Sequence, residues 1–194
     1  MTVTFWFDPA CPFTWRTSRW LRDTAARRGE TVRWRFLSLA VINEDKEIPE
    51  QYREGMAWSR RVHRVLAAAD QQHGQQAVDR LYTAIGQRVH DRGERDEATL
   101  AAALAEAGLP AELIEAADDA AMDKVVRVSH DEAQARVGTE TGSPVMALGD
   151  GPAFFGPVVV PIPEAEDADR LFEALRLLSA VPQFSELKRA RKPF

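Results

Sequence analysis

The residue best placed for covalent chemistry is Cys11, the one cysteine among 194 residues. It lies in Phe5-Trp6-Phe7-Asp8-Pro9-Ala10-Cys11-Pro12-Phe13-Thr14-Trp15. An apolar run ends, a proline-containing turn follows, and a helical pattern opens at the cysteine. A thiol attacks disulfides and electrophiles as its thiolate. A helix N-terminus offers that anion unpaired N–H groups and the positive end of the helix dipole. Cysteines so placed reach pKa values of roughly 3.5–7.5. A lone cysteine also serves elsewhere as a small buried hydrophobe. Here the strand–Cys-Pro–helix setting favours the reactive reading. Thr14 follows one helical turn later and can offer its hydroxyl to the sulfur.

A second element is Gly142-Ser143-Pro144-Val145, directly before a strand pattern. Proline is sterically permitted at the first residue of a strand. The alternatives are an ordinary loop-to-strand proline and a cis Ser143–Pro144 bond, which occurs in about one X-Pro bond in twenty. His130, in a long helical segment before this loop, is either a proton carrier near Cys11 or a partly buried structural histidine. His63, His73 and His90 have no metal-ligand spacing, and no metal site is expected. The five tryptophans read as core and groove packing, with Trp15 and Trp58 the two nearest the expected active edge. Glu44, Asp45, Glu47 and Glu50 read as a solvated acidic loop. The chain has no glycine-rich phosphate loop, so no tightly held dinucleotide is expected.

These groups need a frame. Val3, Phe5 and Phe7 alternate with Thr2, Thr4 and Trp6, which predicts a strand covered on both faces. Pro12 suits a first helical turn, and the helix is expected to run to Arg28 and stop at Gly29. Val32, Trp34 and Phe36 predict a second strand, parallel to the first through a right-handed crossover. From Pro49 to about Val137 the pattern is helical. Tyr52, Met56, Val62, Val65, Leu66 and Ala69 form one stripe ending near Gly74, and Leu81, Ile85 and Val89 a second. Asp96 caps a third helix, Leu109-Pro110 opens a short fourth, and a longer one carries Met122 to Val137. Val145–Leu148, the turn Gly149-Asp150-Gly151 and Ala153–Phe155 predict a hairpin. A last helix is expected over about 164–180. The order is β-α-β, a helical block, then β-β-α.

Net charge is −5, so binding to a polyanion has no global support, and the basic end Lys188-Arg189-Ala190-Arg191-Lys192 reads as a solvated tail. One cysteine cannot close an internal disulfide, which excludes a disulfide-stapled secreted scaffold. No apolar run approaches bilayer length, and the first residues lack a signal-peptide pattern. A cytoplasmic protein with neither nucleic-acid nor membrane partners is expected.

The succession of motifs resembles the DsbA-type branch of the thioredoxin fold, and within it the mycothiol-dependent nitroreductase and thiol oxidoreductase family. The matching pieces are Phe7-Asp8-Pro9-Ala10-Cys11-Pro12, Leu39-Ala40-Val41-Ile42-Asn43-Glu44, Ser129-His130-Asp131-Glu132-Ala133, Gly142-Ser143-Pro144-Val145 and Phe155-Gly156-Pro157-Val158. The resemblance implies a thioredoxin-like α/β domain over 1–48 and 138–194, with an α-helical insertion over 49–137. It implies that Cys11 is the nucleophile, with Pro12 and Thr14 in the catalytic turn. Ser143 and Pro144 would form a cis-proline loop that binds a thiol substrate. Phe13, where the family carries Trp, would supply an aromatic wall, and Asn43 and Tyr52 would approach the thiol site. The family motif reads Cys-Pro-Trp-Cys, so Thr14 replaces the resolving cysteine. What remains is a monothiol cycle with a low-molecular-weight thiol such as mycothiol as co-substrate. The other substrate would be a small electrophile or a disulfide, and a homodimer is compatible. Two rivals stand beside this. Kappa-class glutathione transferases and 2-hydroxychromene-2-carboxylate isomerases resemble the same architecture, but typically place Ser where Cys11 stands. A non-catalytic binding scaffold would account for the missing second cysteine.

Overall fold

The computed structural model describes residues 1–139 and 141–190. Arg191 and Lys192 of the basic end lie outside the described residues; Lys188 and Arg189 are exposed. Strands β1 (Thr2–Phe7), β2 (Thr31–Phe36), β3 (Val145–Leu148) and β4 (Ala153–Phe155) form one sheet in the order β2-β1-β3-β4. β1 and β2 are parallel, with Phe5 opposite Trp34, while β3 runs antiparallel to both β1 and β4. The first crossover is helix α1 (Pro12–Arg28). Gly29, at φ 67°, ends it in the left-handed conformation a β-carbon disfavours.

The alternation along β1 sorts its side chains onto two faces. Val3, Phe5 and Phe7 join Trp34, Phe36, Met146 and Leu148 in the larger buried cluster. Trp6, Val145, Ala147 and Ala153 form a second cluster on the other face, with Ala133 and, at its margin, Leu39 and Ile42. Between β2 and β3 the chain is helical: α2 (Leu39–Ile42), α3 (Glu50–His73), α4 (Gln75–Gly86), α5 (Glu97–Glu106) and α6 (Met122–Val137). Helix α7 (Ala165–Ser179) follows β4. The larger cluster continues without a break from the sheet into Val62, Leu66, Leu81 and Ile85 of α3 and α4.

Asp96 accepts from Thr99 N–H and caps α5 with a full capping box, as its position in the sequence predicts. Four local features depart from the sequence pattern. The short segment after Pro110 is a 3₁₀ helix, Ala111–Asp118. α4 widens at its end into a π turn, Gln87–Asp91. The buried stripe of α3 begins at Ser59, because the first two turns, with Tyr52 and Met56, are exposed or half-buried. α2 itself was not anticipated. The outer edge of β2 is occupied by side chains. Trp34 N–H donates to Gln75 Oε1 at 2.6 Å, and Phe36 N–H donates to Ser129 Oγ at 2.8 Å. No helix among the described residues is long and apolar enough to cross a membrane.

Candidate functional site

The turn after β1 is folded by one carboxylate. Asp8 is fully buried, and its Oδ1 accepts from Ala10 N–H at 2.8 Å and from the Ser59 hydroxyl at 2.7 Å. Its Oδ2 accepts from Leu39 N–H at 2.7 Å. One side chain therefore ties the turn to α2 and α3. Its backbone carbonyl also accepts from Cys11 N–H at 3.1 Å. The chain thus arrives at Cys11 in extended geometry, at the N-cap of α1, with Pro12 in the first turn, where its missing N–H costs little.

Cys11 is 7% exposed, and its thiol donates to the Ser143 carbonyl at 3.7 Å. The Ser143–Pro144 peptide is cis. Ser143 Oγ accepts from Asp8 N–H at 2.9 Å and lies 2.7 Å from Thr14 Oγ1. Residues 8, 11, 14 and 143 thus meet as one buried polar group. Burial pushes the Cys11 thiol above its ordinary pKa, and the Asp8 carboxylate adds to that. The Thr14 hydroxyl and the N–H groups of Thr14 and Phe13 pull it back. The expectation of a thiol resting below its ordinary range is therefore corrected. Loss of solvent at a nearly closed site outweighs what the helix N-terminus offers.

On the far side, the π turn clasps the same loop. His90 Nε2–H donates to the Pro9 carbonyl at 2.9 Å. Asp91 Oδ1 accepts from Trp15 Nε1–H at 3.0 Å. Widened turns of this kind recur at functional sites because they re-aim side chains. Trp15 packs over Gly86, where a β-carbon would collide with the indole, and the Arg19 guanidinium lies 4.2 Å from its ring. Trp15 is therefore a packing residue. Trp58 is half-buried, 5.7 Å from the Arg95 guanidinium.

The remaining residues singled out from the sequence differ in burial and in what holds them. Phe13 is half-buried on the first turn of α1. Asn43 caps the end of α2, donating to the Leu39 carbonyl at 2.7 Å; it reaches the site through Leu39 N–H and Asp8. Tyr52 is 54% exposed, and among the described residues no hydrogen bond or ring contact joins its side chain to the Cys11 turn. His130 Nδ1 accepts from Ser38 N–H at 3.3 Å, so it holds the β2–α2 junction and makes no bond to Cys11.

Sequence reasoning missed Asp8, Ser59 and His63 as a unit. His63 is buried, its Nε2–H donates to the Phe7 carbonyl at 3.3 Å, and burial lowers its pKa. The only sequence signal was an Asp between two apolar residues and a proline. Among the described residues, no group of three His, Cys, Asp or Glu could hold a metal ion.

The sequence pattern of the mycothiol-dependent nitroreductase Rv2466c family matches residues 10–189. The uncharacterized protein Rv2286c of Mycobacterium tuberculosis is 35% identical over 198 residues, spanning 99% of this chain and 83% of that one. Two solved structures share the fold at low identity. The cytosolic disulfide reductase DsbM from Pseudomonas aeruginosa superposes with a TM-score of 0.62 at 20% identity, over 91% of this chain and 100% of that one. A 2-hydroxychromene-2-carboxylate isomerase superposes with a TM-score of 0.63 at 18% identity, over 93% and 95%.

Proposed function

The chain belongs to the Rv2466c-like family of mycothiol-dependent nitroreductases, and from that premise we propose that it is a monothiol oxidoreductase working through Cys11. Family and fold together point to thiol-disulfide oxidoreductase or mycothiol-dependent reductase chemistry. In this reading the Cys11 thiolate attacks the sulfur of a small disulfide. The new bond joins Cys11 to one half, and the other half leaves as a thiolate. A second low-molecular-weight thiolate then attacks the sulfur of the bound half, releasing Cys11 and a new small disulfide. Two electrons pass between the small thiols, and the protein returns unchanged.

The observation that carries the reading is the pairing of Cys11 with the cis-proline loop, with Thr14 standing where a resolving thiol would be. Mycothiol enters as a co-substrate, and Phe13, Asn43, Ser143 and Pro144 are the residues offered to it and to a small electrophile. Tyr52 would join them only by a rearrangement of the first turns of α3. The same reading takes 49–137 as an insertion that roofs the site, and places the protein in the cytoplasm.

The experiment is intact-mass analysis after incubation with oxidised mycothiol. One mycothiol adduct, confined to Cys11 and absent from Cys11→Ser, is expected. Wild-type protein without an adduct, together with thiol transferase or isomerase activity retained in Cys11→Ser, would overturn the reading in favour of chemistry on the bound thiol.

A further inference from the structure

We infer that His90 and Asp91 are positioning residues for the nucleophile: the π turn that carries them holds the Cys11 turn closed by a bond on either side of the cysteine. The inference rests on Cys11 being the reacting group. His90 Nε2 lies 2.9 Å from the Pro9 carbonyl, which can only accept, so that nitrogen carries the proton. Asp91 Oδ1 lies 3.0 Å from Trp15 Nε1, which can only donate. The direction of both bonds is therefore fixed. Pro9 stands just before Cys11, and Trp15 one helical turn after it. The Trp15 N–H in turn donates to the Cys11 carbonyl at 3.0 Å. The segment from Pro9 to Trp15 is thus gripped at both ends by neighbouring residues of another element.

The π turn brings the two holds together. Arg92 N–H donates to the Gln87 carbonyl at 3.1 Å, the wide bond that defines such a turn. Within it, His90 and Asp91 both reach one loop. The His90 ring also lies over Trp15, with centroids 6.0 Å apart and planes inclined by 21°, so the two holds share the indole. Of the bonds that fix the Cys11 turn, these two are the ones able to let go. Asp8 is 0% exposed, and its carboxylate holds the backbone N–H groups of Ala10 and Leu39, where water does not take over. His90 is half-buried and Asp91 exposed, so water replaces their bonds when these break. Asp8 is therefore the fixed side of the turn and the π turn its releasable side. Cys11 itself is 7% exposed, with its thiol on the Ser143 carbonyl, so a reagent reaches the sulfur by way of the opened turn.

The test is the rate of Cys11 alkylation by iodoacetamide at a single pH, which needs no substrate. Alkylation of a closed thiol follows the population of the open form. His90→Phe keeps a ring over Trp15 but loses the bond to Pro9, and Asp91→Ala loses the bond to the indole. Each should speed alkylation about fivefold, the net contribution of one hydrogen bond. The double variant should multiply the two effects, because opening breaks both bonds. Asp91→Asn keeps an acceptor oxygen for the indole and should stay at the wild-type rate. Asp91 is exposed, so its variants carry the test even if His90→Phe is insoluble. The faster rates should be flat in urea below the unfolding transition, because a local opening exposes little surface. Unchanged rates, an Asp91→Asn as fast as Asp91→Ala, or rates that climb with urea in step with global unfolding would overturn the inference. A mycothiol adduct on Cys11 beside unchanged variant rates would sink the clamp alone. Clamp-dependent rates without an adduct would sink the Cys11 cycle alone.

Discussion

Cys11 sits between opposed influences, and their balance sets how the thiol and the fold respond to alkali. Burial favours the S–H form in the folded state, while Thr14 and the helix N–H groups favour the thiolate. The net displacement is upward. A folded pKa above the unfolded one gives stability that is full below the unfolded value, about 8.5 for a free thiol, and is lost as pH rises through the folded value. Tyr82 is displaced in the same direction by burial, from a higher starting point. Chemical denaturation from pH 7.5 upward should therefore show wild type losing stability earlier than Cys11→Ser. Parallel curves would mean the thiol is not held in its protonated form. Asp8 is the other decisive residue. Asp8→Asn replaces a carboxylate oxygen that receives N–H or O–H donors with an amide that itself donates. A loss of about 1–3 kcal/mol in urea unfolding is expected, and an unchanged midpoint would show the hub to be dispensable. Cys11, Thr14, Ser143 and Pro144 were legible because their types and spacing are unusual. Asp8 was not, since its partners Leu39 and Ser59 lie 31 and 51 positions away.

The segment from α4 into the π turn shows where local pattern stops being a guide. Leu81, Ile85 and Val89 keep helical spacing and all are buried, so the sequence reads as one continuous helix. The widening at 87–91 comes from tertiary demands: His90 bonds the Pro9 carbonyl and Asp91 bonds the Trp15 indole. Gly86, just before the widening, lets Trp15 lie against the helix backbone. Gly86→Ala is a favourable exchange by helix propensity alone. Here the added methyl meets the indole, and overpacking should cost about 1–3 kcal/mol. Urea denaturation checks the sign; a stabilised variant would show that Trp15 can move aside freely. The first turns of α3 teach the converse lesson. Tyr52 and Met56 fit the apolar stripe in register, but Tyr52 is exposed and Met56 only half-buried, whereas Val62 and Leu66 are fully buried. Periodicity reports which residues share a face, and says nothing about where along the helix that face acquires a partner. The strands, the capped start of α5 and the glycine stop of α1 were legible because each rests on a local stereochemical rule.

At the scale of the whole molecule, the chain order β-α-β, helices, β-β-α was readable, and with it the parallel pair and the hairpin. The single cluster running from the sheet into α3 and α4 was not, because it is assembled from segments distant in sequence. Three histidines embedded in this assembly, His63, His90 and His130, all have pKa values lowered chiefly by burial. For a lowered pKa, the stability is present above the unfolded value, about 6.5, and is lost as pH falls through the folded value. Stability should therefore decline under mild acid, and His63→Gln should flatten that decline; an identical acid limb would rule His63 out as a contributor. Finally, consider the rims of the sheet. β4 is three residues long and is followed by Pro157 and Pro161, neither of which can donate a backbone proton. β2 has Trp34 N–H taken by Gln75 and Phe36 N–H taken by Ser129. Both rims are thus poor templates for strand addition by another chain, which guards against fibrous growth. Replacing Gln75 and Ser129 together with alanine would unmask one rim, and light scattering at constant folded fraction should then rise with protein concentration.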